Sequence, residues 1–125
     1  MQWDDWRFSA KRAWQNSFIR WTVIATALVI VAGTFFILWR LIPEGLRSGV
    51  LVMHYNIYLG IDYVRPWQWI ILIPAVMILT FLINTFLALW LYRPDELASK
   101  TLVAVTAVLT VLWCIGSFFL VLVNL

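Results

Sequence analysis

The sequence predicts an all-α membrane protein with three transmembrane helices, an N-terminal interfacial amphipathic helix and a structured extracytoplasmic loop. Three observations carry that expectation. Of 125 residues, 64% are hydrophobic and 12% charged, against roughly 45–50% and 25% in a soluble domain. Three uncharged runs, at 21–39, 67–91 and 101–123, each come close to the roughly 20 apolar helical residues that a hydrocarbon core about 30 Å thick requires. The tryptophans Trp21, Trp39, Trp67, Trp69 and Trp90 fall at the ends of those runs, where an amphipathic ring rests at headgroup level.

Residues 1–20 form the interfacial segment. Trp3, Trp6, Ala10, Trp14, Phe18 and Trp21 recur at helical spacing, with Asp4, Arg7 and Lys11 on another flank. Both a lipid-surface or partner-binding arm and a plain aromatic anchor for the first span fit this pattern. Residues 21–125 form the transmembrane domain. The first span is longer than a signal-peptide core, begins late and is followed by no A-x-A-like site, so it reads as retained. Residues 40–66 are the first loop. In the second span Pro74 lies near the start, where a missing amide costs least. All three spans can satisfy their backbone groups in hydrocarbon only as helices. Trp113 sits mid-span in the third, away from the belts, and reads as a gap filler between helices or a lipid-facing ring.

Orientation follows from the basic residues. Arg7, Lys11, Arg12, Arg20, Arg93 and Lys100 flank one side; Arg40, Arg47 and Arg65 flank the other. That asymmetry puts the N-terminus in the cytoplasm, and the 40–66 loop and C-terminus outside the cytoplasmic (inner) membrane. The basic residues are scattered over helix ends and form no stripe, which argues against nucleic acid and for the lipid bilayer as partner. Cys114 is the only cysteine and lies within a span, so no internal disulfide or thiolate metal cluster can be built from it. No metal and no cofactor is expected.

Lipid tails give helices no hydrophobic reason to associate, so contact faces are marked by small residues and by hydroxyls or amides that bond across. The first span carries Thr22, Thr26 and Gly33. The second carries Thr80, Asn84 and Ala88, and the third Thr106, Thr110, Cys114 and Ser117. Spacings of four and seven keep each set on one face, so the three stripes are expected to face inward. Asn84 stands out, because a carboxamide in hydrocarbon must find a partner. An interhelical hydrogen bond is the expected answer, since the ionisable residues that mark transport paths are absent from all three spans.

The loop holds the sole histidine, in HYNIYLGID at 54–62. The stretch 49–60 is rich in β-branched and aromatic residues and bounded by glycines, which suggests a strand that would put His54, Asn56 and Tyr58 on one side. Gly60 would turn the chain and bring Asp62 near that side. A short helix is the alternative, because a lone strand leaves its backbone unpaired. His54 oriented by Asp62 has the form of a general base. No nucleophile is placed beside it, however, and the pair falls short of a catalytic zinc set, so His54, Asn56, Tyr58 and Asp62 read as a ligand- or partner-binding loop.

Pro43, His54, Tyr55, Asn56 and Asp62, followed by the span from residue 67 and by Asn84, make a pattern that resembles the N-terminal domain of unknown function of bacterial SdpI-type toxin-immunity membrane proteins. The resemblance covers residues 21–91 and implies a helix–loop–helix unit in a bacterial membrane. This sequence departs from the pattern at Val52, where the family has proline, in the placing of Gly60, and in the apolar Ile57, Tyr58 and Leu59. SdpI-type proteins also carry further spans beyond such a unit, so the fold is the part that transfers. The resulting expectation is a non-enzymatic, multi-pass protein that acts as an accessory subunit, a homo-oligomer or a partner of another membrane protein. Immunity or toxin sensing through the loop is the alternative.

Overall fold

The structure, a computed structural model, describes residues 3–56, 58 and 60–125, with the backbone alone for 54–56 and 60–63. It comprises α1 (Trp3–Gln15), α2 (Ser17–Ser48), strands β1 (Val50–Asn56) and β2 (Gly60–Pro66), a 3₁₀ turn at Trp67–Ile71, α3 (Leu72–Leu91) and α4 (Glu96–Val123). The fold is all-α apart from one hairpin, and three helices are long and apolar enough to cross a membrane.

A single break separates α1 from α2. Asn16 leaves the helical conformation (φ −71°, ψ 120°) and its Oδ1 accepts from the Ile19 amide at 3.2 Å, so it closes one helix and N-caps the next. Phe18 and Trp21 therefore belong to α2, and the interfacial helix ends earlier than the aromatic spacing suggests. Ser9 and Ala13 are the buried residues of α1, small enough to let it lie against α2 and α3.

Residues 40–48 are helical, which corrects the expectation of a loop from residue 40. At 32 residues and about 1.5 Å per residue, α2 is about 48 Å long and outruns a core about 30 Å thick. The charges at Arg40, Glu44 and Arg47 end the apolar run without ending the helix, because Leu41 and Gly45 continue its buried face. Pro43 lies inside this extension and deprives the Trp39 carbonyl of its helical donor, a loss water can make good beyond the hydrocarbon. The helix stops at Gly49, whose left-handed φ of 78° and amide bond to the Gly45 carbonyl at 2.7 Å form the C-cap; glycine adopts that conformation without steric cost.

Strands β1 and β2 pair antiparallel, with Val50 opposite Pro66 and Asn56 opposite Gly60. The register slips on either side of His54, so the ladder is irregular there; the sidedness expected of His54, Asn56 and Tyr58 rests on the side chains of His54 and Asn56, which lie outside the described residues. The chain turns at Tyr58, while Gly60 is already in the ladder.

Helix α4 packs along both α2 and α3, which meet each other less. Two apolar clusters mark the ends of the bundle. Ala13, Ile19, Val23, Ala88 and Val103 form one at the α1 end; Ile37, Leu41, Leu51, Ile70 and Val121 form the other under the hairpin.

Candidate functional site

The hairpin of β1 and β2 is the candidate site, and it is held against the bundle. An isolated two-stranded hairpin is marginal in water, and three features hold this one. Leu51 is fully buried with Ile37, Leu41, Ile70 and Val121. The Trp67 amide donates to the Gly49 carbonyl at 3.3 Å, closing the base. Asn124, just past α4, supplies the third. Its Oδ1 accepts from the Val52 amide at 2.7 Å, and its Nδ2 donates to the Val52 carbonyl at 2.8 Å and the Leu120 carbonyl at 2.9 Å. In an antiparallel pair, alternate residues turn both backbone groups to the outer edge. Val52 is such a residue, and the Asn124 carboxamide takes the place a third strand would occupy.

Gly45 sets the approach of α2 to the next element. A Cβ there would fall 2.4 Å from Trp67 Cβ, so a side chain at 45 is excluded while the 3₁₀ turn keeps its place. Tyr58 at the tip is 92% exposed. The side chains of His54, Asn56 and Asp62 lie outside the described residues; their backbones fall in β1 and β2.

The opposite end is tied by hydroxyls. Ser9 Oγ donates to the Leu89 carbonyl at 2.8 Å and accepts from the Arg93 amide at 3.2 Å, Trp6 stacks on Phe86 at 5.4 Å, and Arg93 pairs with Asp5 at 3.1 Å. Ser99 Oγ donates to the Ala88 carbonyl at 2.7 Å. Ser9, Gly45, Ser99 and Asn124 were not legible as contact residues in sequence, because each acts on a segment distant along the chain. The one available signal was polar character at a helix terminus for Ser99 and Asn124.

Within the bundle, Asn84 Nδ2 donates to Thr106 Oγ1 at 3.0 Å, joining α3 to α4. Thr106 Oγ1 in turn donates to the Leu102 carbonyl at 2.8 Å. Three further threonines bond back along their own helices: Thr26 to the Thr22 carbonyl, Thr80 to Val76 and Thr110 to Thr106. Thr26, Ala88, Thr110 and Ser117 are buried and Thr22, Thr80 and Cys114 half-buried. Gly33 faces Trp113, and a Cβ there would lie 2.6 Å from its Cζ3 and 3.5 Å from Cys114 Sγ. Trp113 thus fills the space that Gly33 opens between α2 and α4. Among the described residues, Thr34 Oγ1, Trp113 Nε1 and Ser117 Oγ are buried without a hydrogen-bond partner.

Aromatic rings and guanidiniums pair near the span ends: Arg20 over Trp21 at 5.5 Å, Arg40 over Trp39 at 5.7 Å and Arg65 over Trp69 at 5.3 Å. Rings of this kind anchor helices at headgroup level. The chain matches no family model, no curated protein and no solved structure. The class that the fold suggests is a membrane protein, with three helices long and apolar enough to cross a bilayer.

Proposed function

We propose that this is a non-enzymatic, multi-pass protein of the bacterial inner membrane that works by association and presents its hairpin to a partner on the extracytoplasmic side. The single observation that carries the reading is the Asn124 clamp on Val52. A hairpin fixed to the bundle by side-chain bonds to both of its edge groups has paid its ordering entropy before any partner arrives, which favours recognition by a preformed surface. The basic residues at the α1 end supply the orientation, N-terminus inside and hairpin outside.

The test is a photo-crosslinking residue at Tyr58 in native membranes, with one at Leu28 as control. A discrete adduct at Tyr58 and none at Leu28 supports the proposal; no adduct at the hairpin overturns it. The SdpI-like reading, immunity or toxin sensing, uses the same hairpin. It takes precedence if the crosslinked species is a secreted peptide and cells lacking the gene become sensitive to it.

A further inference from the structure

Asn84 carries one hydrogen bond too few. The single proton of Thr106 Oγ1 goes to the Leu102 carbonyl, so that oxygen can only accept from Asn84, and the amide orientation is fixed with Nδ2 toward α4. Oδ1 then turns away, and no donor among the described residues reaches it. It is not closed off either: Asn84 is half-buried, and Oδ1 is absent from the sealed, unpartnered atoms of the bundle. An amide oxygen opening on hydrocarbon without a donor costs on the order of several kcal/mol. Among the described residues nothing accepts the second Nδ2 proton.

The edge of α3 beside Asn84 has the form of a helix seam. Val76, Thr80, Ile83 and Leu87 follow one another at spacings of four, three and four, the repeat of a left-handed helix pair. Val76 and Ile83 are 62% and 50% exposed, and Thr80 keeps its proton on its own helix, so nothing polar on this edge opposes a second helix.

We propose that this edge of α3 is a self-association face, on which Asn84 of one copy pairs with Asn84 of a second copy across a two-fold axis normal to the membrane. The occupant follows from the chemistry. An acyl chain has no donor to offer. A partner helix must bring one to the right depth, six residues before Trp90, or about 9 Å along the helix. A second copy inserted in the same orientation does so by identity, because a carboxamide with one free N–H and one free C=O is self-complementary. Each Nδ2–H donates to the other Oδ1. The proposal rests on the reading of this protein as one that works by association.

The experiment uses full-length protein in liposomes, in a Cys114→Ala background, with cysteine at Ile83 or Leu87 and a control at Leu28 on the exposed side of α2. Oxidation is expected to yield disulfide dimers at Ile83→Cys and Leu87→Cys and none at Leu28→Cys. Asn84→Val is expected to raise the dimer dissociation constant about 3- to 30-fold, the range for one interhelical polar pair in a bilayer. Thr106→Val removes the internal bond but keeps the carboxamide, and is expected to leave dimerisation unchanged or tighter. Equal crosslinking at Leu28→Cys, or equal weakening by Thr106→Val and Asn84→Val, overturns the proposal. A dimer dissociation constant unchanged by Asn84→Val overturns this face but leaves the associative reading intact. No dimers at any position, together with no hairpin adduct at Tyr58, overturns both.

Discussion

Replacing Asn124 with alanine removes three hydrogen bonds that one side chain makes to Val52 and Leu120. Each such bond contributes about 0.5–1.5 kcal/mol net, and a stranded buried amide costs about 1–3 kcal/mol. The site is only part-buried, so water recovers some of the loss, and the hairpin should lose about 1–3 kcal/mol of docking free energy. That is about a 5- to 150-fold rise in local opening. Hydrogen exchange in nanodiscs reads this directly: exchange at Leu51, Val52 and Met53 should accelerate by that factor, while Ser99 to Thr110 in α4 stay protected. Asn124→Asp keeps an acceptor for the Val52 amide but has no donor for the Val52 or Leu120 carbonyls, and should exchange at least as fast. Unchanged exchange at Val52 in Asn124→Ala would refute the clamp. A rise spread equally over α4 would show instead that Asn124 supports the whole bundle.

Gly45→Ala drives a methyl group into Trp67 Cβ. It should cost about 1–3 kcal/mol, as overpacking does, seen as a lower thermal midpoint in detergent. Ser9→Ala leaves the Arg93 amide without its acceptor, and should weaken the seating of α1 by about 1 kcal/mol, measured as faster tryptic cleavage after Lys11 and Arg12. In a Cys114→Ala background, an impermeant maleimide added to intact cells should label Tyr58→Cys and spare Gln15→Cys. Labelling of Gln15→Cys alone would invert the orientation.

The spans were legible because hydrocarbon leaves the backbone one choice. A charge-free run of sufficient length must be a helix, and the structure has helices over all three. Their ends were less legible. Counting charges locates where the apolar run stops, whereas the helix stops where capping is available: at Gly49 in α2, and at Asp95, whose side chain accepts from the Ala98 amide at 2.9 Å, ahead of α4. Pro43 fell in the expected loop because the uncharged run stops at Trp39. In α2 the buried positions Leu41 and Gly45 outweigh the proline. At Asn84 the residue type announced the need for a partner, but that the partner is Thr106 depends on how α3 slides along α4, which no local pattern encodes. The Asn124 clamp was illegible for the same reason, since it joins residues 72 apart in the chain.

The two long seams of the bundle are held by different physics. Between α2 and α4 the contact is one of shape: Gly33 receives the Trp113 ring, whose Nε1 finds no partner among the described residues. Between α3 and α4 it is one of hydrogen bonds, through Asn84 to Thr106 and Ser99 to the Ala88 carbonyl. The Trp113 nitrogen is sealed inside the bundle, beyond the reach of a second chain, whereas the Asn84 Oδ1 is not sealed. The α3 side is therefore where a second chain gains most by approaching. The hairpin is docked through Leu51 and Asn124 on α2, α4 and the 3₁₀ turn, away from that edge. A pair built on α3 would keep both hairpins on one side of the membrane, each free to engage a partner.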